Sequence, residues 1–168
     1  MLKFLKTIIV LILCFTGVTN AQVKLGHINS TQLLSFMPET KSADSSLQKF
    51  GSSLENQLKT MSAEYDSKVS DFKSKESAMA EPIHQAKLKE ITDLEGRIQD
   101  FQQSAQSSIQ KKKEELYSPI IKKAEDAIHS VGKDKGYTYI FDSSVGVLLW
   151  SQDSDDIMAQ VKQKLGLK

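Results

Sequence analysis

Apolar residues fall at Ala43, Leu47, Phe50, Leu54, Leu58, Met61, Tyr65, Val69 and Phe72. Eight steps cover 29 residues, a mean of about 3.6, which is the period of an α-helix. Equivalent positions return every eleven residues, as in Leu47, Leu58 and Val69 or in Phe50, Met61 and Phe72. That repeat gives a nearly straight or slightly right-handed supercoil. The other faces are Ser, Lys, Glu, Asp and Gln, so the stripe predicts one partner surface. The pattern breaks between Ser77 and Pro82, and the proline places a corner at Glu81. It then resumes at Ile83 or Ile91 and runs through Ile91, Leu94, Ile98, Phe101, Ala105, Ile109, Leu116, Ile120, Ala124, Ile128 and Val131. Two stripes of one period around a short breaker predict an antiparallel helical hairpin over 38–131, with its tip at about 77–83. Helices of roughly 40 to 50 residues run about 60 to 75 Å, far beyond a mean globular helix, so the hairpin projects as an arm.

Three residues interrupt the helical pattern. Pro119 lacks an amide donor and clashes with the carbonyl of Glu115, which predicts a kink. Gly51 and Gly96 each cost about 1 kcal/mol relative to alanine. All three are candidate hinges; for the glycines, tolerance at an exposed position fits equally.

The ends of the chain read differently. Val23 to Ile28 alternates partly and predicts a strand. Asn29 with Gln32 three residues on caps a short helix holding Leu33, Leu34, Phe36 and Met37, and Pro38-Glu39-Thr40 opens the arm. Gly132 and Gly136 are expected to end the return helix. Tyr137 to Phe141 and Val145 to Trp150 are then two strands of a hairpin about the turn Asp142-Ser143-Ser144, joined by the Val23 strand. Asp153 to Asp156 caps a last helix with Ile157, Val161 and Leu165 on one face. The fold class is α+β, mostly α, with a small β-body formed by 22–37 and 132–168. Leu25, Ile28, Tyr139, Phe141, Val147 and Leu149 are the candidate residues of its core and of association. Two small helices cannot cover a strand that is apolar on both faces, so burial alone predicts self-association into a shared body. The copy number stays open by this route.

The first 21 residues stand apart. A basic start with Lys3 and Lys6, an apolar run from Thr7 to Phe15, and Thr19 and Ala21 before Gln22 make a secretory signal peptide cleaved after about Ala21. The run is too short to span a bilayer. Cys14 lies inside it, so the mature chain has no cysteine and no disulfide or thiolate chemistry. Losing two lysines from 22 bases against 21 acids leaves a net charge of −1, which argues for no nucleic-acid partner.

Candidate chemistry is sparse. His27, His84 and His129 fall in a strand, near the arm tip and near the return of the arm, and do not converge. The acids have no metal-ligand spacing, no glycine-rich phosphate loop is present, and no serine sits in a nucleophile elbow. Lys111-Lys112-Lys113 is followed at once by Glu114-Glu115, as on a solvated helix face. The expectation is a protein that is no enzyme and binds no cofactor or metal.

The order of elements behind a signal peptide resembles the Skp/OmpH family of periplasmic chaperones. The residues that carry the resemblance are Val23 to Asn29, Glu115-Leu116-Tyr117-Ser118-Pro119-Ile120-Ile121, Gly136 to Asp142, Val147-Leu148-Leu149 and Asp155-Asp156-Ile157. It implies a homotrimer with a small β-barrel body and three arms around a cavity. It also implies ATP-independent holding of unfolded outer-membrane β-barrel proteins in the periplasm. Between Lys68 and Arg97 six bases meet six acids, so this arm lacks the basic character that suits lipopolysaccharide. Ala78, Met79, Ala80, Ile83 and Leu88 are the candidate client contacts, being apolar residues near the tip that one stripe cannot accommodate; packing of the tip itself would use the same residues. The second reading is a structural coiled-coil spacer of the cell envelope.

Overall fold

The computed structural model describes residues 23–167. The signal-peptide segment lies outside the described residues. Strand β1 (Leu25–Ile28) leads into helix α1 (Ser30–Phe36), whose first turn is capped by Asn29 accepting from the Gln32 amide at 2.8 Å. The long helix α2 (Pro38–Lys75) begins with proline in its first turn, where no amide partner is required. A 3-10 turn (Glu76–Ala78) follows, and then helix α3 (Glu81–Lys135) returns for 55 residues. The chain closes with strand β2 (Tyr139–Asp142), a 3-10 turn (Asp153–Asp155) and helix α4 (Met158–Leu165).

The arm follows the periodicity. Every stripe position from Ala43 to Phe72 and from Ile91 to Val131 is buried or half-buried, as expected where two helices share one seam. Ile91 and Leu94 are its most enclosed residues toward the tip. Ion pairs flank the seam: Lys68 with Glu90 and, near the root, Lys123 with Glu39. Tyr117 also donates its hydroxyl hydrogen to Asp44. The corner comes one residue earlier than expected. Met79 and Ala80 carry the extended backbone, with ψ of 137° and 143°, and Glu81 already belongs to α3. Helix α3 runs on through Pro119, which is exposed in the groove between the two helices beside Glu39, Ala43 and Ile120.

The last turns of α3 enter the body. Ile120, Ala124, Ala127 and Val131 pack with Ile28, Leu33, Met37, Ala43, Ile157 and Val161 in one core. Gly132 does not end the helix, as the sequence had implied. It is buried one turn before the end, where a Cβ would meet Ile140 Cδ1 at 3.0 Å. The stop is Gly136, left-handed at φ 69°, with its amide directed at the Gly132 and Lys133 carbonyls.

The Val23 strand joins the sheet as expected, but the expected hairpin does not form. β2 pairs with β1 in parallel, with Leu25 opposite Tyr139 and Ile28 opposite Asp142. A parallel pair needs a long crossover, and the whole arm supplies it by returning the chain to the end where it left. Val145 to Trp150 forms no strand among the described residues. Val147 is 74% and Leu149 96% exposed, because one chain has no second surface with which to cover a segment apolar on both faces.

Candidate functional site

Two surfaces stand out, at opposite ends of the molecule. At the body, β1 alternates so that Gly26 and Ile28 face the core and Leu25 and His27 face away. Gly26 is confined on that inner side, since a Cβ would lie 2.9 Å from Tyr137 Cε1. The outward face continues across the register to Tyr139 and Phe141, whose rings stack with centroids 6.4 Å apart. Leu148 and Trp150 extend it along an open groove. Of the six candidate body residues, Ile28 is buried within the chain; Leu25, Tyr139, Phe141, Val147 and Leu149 are exposed.

Hydrogen bonds hold this face in place from behind. Ser30 Oγ donates to Asp142 Oδ2, and the Ser144 amide donates to Asp142 Oδ1 at 2.9 Å. Burial would push the Asp142 carboxyl up, but the bonds from Ser30 and Ser144 together outweigh it and hold it at about 2. The Ile157 amide bonds the His27 carbonyl at 3.0 Å and ties the start of α4 to β1.

At the other end, Ile83 is 55% and Leu88 44% exposed, Ala78 and Ala80 are exposed, and Met79 is half-buried. The tip candidates therefore share one region, and only Met79 contributes much to its packing. His84 was not among them. Its ring lies 5.0 Å from that of Phe72 and its Nε2 is 3.4 Å from a Glu76 carboxylate oxygen, so it pins the returning helix beside the turn. The spacing from Phe72 across the break was the only signal available for that contact. Gly51 and Gly96, two of the three hinge candidates with Pro119, have open space where a Cβ would stand.

The three histidines lie in β1, near the tip and in the last turns of α3. Among the described residues no group of three or more His, Cys, Asp or Glu could hold a metal ion, and no helix is long and apolar enough to cross a membrane. The arrangement offers apolar area at the two ends of a long helical arm.

The model of the family described as outer membrane protein (OmpH-like) matches residues 24–165, from the start of β1 to the end of α4. The chain belongs to the OmpH-like family. No curated protein matches it. Its fold is similar to the crystal structure of an OmpH-like protein from Caulobacter crescentus CB15, one put forward as an outer membrane chaperone. The TM-score is 0.75 at 14% identity, covering 90% of this chain and 89% of that chain. The OmpH-like fold is thus a short body with a long two-helix arm, here built from β1, α1, β2 and α4 at the root of α2 and α3.

Proposed function

We propose that this OmpH-like chain is a chaperone. It acts in the periplasm after loss of residues 1–21, as an ATP-independent holdase for unfolded outer-membrane β-barrel proteins. Copies associate through their bodies, as a homotrimer, and the arms enclose the space in which a client is held. The observation that carries the reading is the separation of surfaces. The exposed apolar body face (Leu25, Tyr139, Phe141, Val147, Leu149) stands at one end of the arm, and the exposed apolar tip (Ile83, Leu88) at the other. A face of this kind is suited to association, and a long, mildly apolar arm is suited to many weak contacts with an extended client. The family match and the chaperone role put forward for the Caulobacter protein support the same reading. The balanced charge of the distal arm gives no electrostatic basis for binding lipopolysaccharide.

The test is light scattering while a urea-unfolded outer-membrane β-barrel protein is diluted with and without residues 22–168. Suppression near one assembly per client, without nucleotide, is expected. A form with the arm cut between Leu58 and Ile109 and closed by a short linker should keep its oligomeric state and lose suppression. Failure of the intact chain over a wide excess would favour the envelope spacer, which would bind one folded partner.

A further inference from the structure

The outward face of the sheet carries one imidazole in an otherwise apolar surround. His27 stands opposite Phe141 in the register, and Leu25, Leu148 and Trp150 share its groove. Its Nε2 lies 3.2 Å from the Gln152 carbonyl oxygen. A carbonyl only accepts, so Nε2 carries hydrogen in the neutral and the charged ring alike, and an added proton goes to Nδ1. Protonation therefore preserves the contact within the chain.

On β1's side, Lys24 donates to the Lys135 carbonyl at 2.9 Å and lies 4.1 Å from the Tyr137 ring centroid. From β2, Asp142 is occupied by Ser30 and Ser144, and Tyr139 is exposed. From the segment before α4, Asp155 lines the same groove, and Asp156 accepts from the Met158 amide at 2.8 Å. No carboxylate among the described residues forms an ion pair with His27.

We infer that His27 makes the association of copies pH-dependent: a second copy seated on this face binds with the ring neutral and is released as the ring gains a proton. The inference rests on the shared body proposed above. A second copy suits the groove because its rim carries one cation, Lys24, and one carboxylate, Asp155, and so complements itself. The segment 145–150, strand-like in composition and without a ladder, supplies the strand that a neighbouring sheet edge would accept. Covering the face removes water from the ring, which disfavours its charged form, and imidazole changes charge between about pH 5 and 8.

The experiment is sedimentation velocity on residues 22–168 at pH 7.5 and pH 5.5, with circular dichroism at both, for the native chain, His27→Gln and His27→Leu. Glutamine keeps a donor for the Gln152 carbonyl but does not titrate. The native assembly should weaken on the order of tenfold per copy at pH 5.5 while its helicity holds. His27→Gln and His27→Leu should lose that dependence. An assembly of equal or greater strength at pH 5.5 overturns the inference and leaves the shared body standing. Equal weakening of native chain and both variants also overturns it, since another group then titrates. Monomers at both pH values overturn the shared body itself.

Discussion

Ser30 Oγ lies 2.5 Å from Asp142 Oδ2, joining the first turn of α1 to the end of β2 across 112 residues. The Ser30 amide, 3.2 Å from Asp142 Oδ1, adds a second bond, so the carboxylate caps the helix that follows β1. The Asp142 pKa is lowered from 3.8 to about 2, so its contribution is complete above pH 3.8 and is lost as pH falls toward 2. Asp142→Asn should cost about 1–2 kcal/mol at pH 7, allowing for partial solvent screening. The gap between native chain and variant should shrink by about half at pH 3. Urea unfolding at both pH values measures it, and a gap that stayed constant would contradict the assignment.

Gly132 meets Ile140 at a distance that leaves little room for a side chain. Gly132→Val should destabilise the body by about 1–3 kcal/mol through overpacking and a β-branched helix residue. Gly132→Ala gains helix propensity and strains only the flexible end of Ile140, so it should cost less than about 1 kcal/mol. Ile140→Val, which removes Cδ1, should recover part of the loss when combined with Gly132→Val. Thermal melts of the native chain, Gly132→Val, Ile140→Val and the double variant form the cycle. Strict additivity would mean that the two side chains do not compete for the same space.

Buried and exposed apolar residues toward the tip should respond in opposite ways. Leu94 is 2% exposed, and Leu94→Ala should cost about 2–4 kcal/mol, seen as early melting of the helices. Ile83→Ser with Leu88→Ser touches exposed residues and should change stability by less than about 0.5 kcal/mol each. Client suppression should nevertheless fall. Full suppression by this pair at native stoichiometry would remove Ile83 and Leu88 from the client surface.

Leu149 and Trp150 are 96% and 75% exposed in the single chain. Leu149→Ser with Trp150→Ser should leave helicity and melting of the separate chain unchanged and lower the oligomeric state at micromolar concentration. Sedimentation velocity decides the matter: an oligomer of native size and strength would place the association surface elsewhere.

The arm was legible because its signal is repetitive. One wrong residue in a stripe running from Ala43 to Phe72 would not have hidden the period, and the break at Pro82 is a covalent constraint. The caps at Asn29 and Gly136 were legible for the same reason, since each depends on a residue and its immediate neighbours. The body was harder. That the Val23 strand joins the sheet was legible, but its parallel pairing of Leu25 with Tyr139 is a contact over more than a hundred residues, and strand composition does not specify direction or register. Gly132 misled because a glycine near a helix end can be a stop or a close approach, and Ile140 decides which. The pairing of His84 with Phe72 and Glu76 depended on the angle at which the helices meet after the tip.

The parallel pairing of β1 with β2 also dictates an order of events. β1 is made early and its partner late, with the entire arm between them. Closing so long a loop from an unfolded chain is entropically unfavourable, whereas two helices zipping from a short turn join neighbours first. As the seam closes toward Ala43 and Ile120, it carries Leu25 and Tyr139 toward the same place. The arm is thus the jig on which the body is assembled, and the body is the last part of each chain to become native.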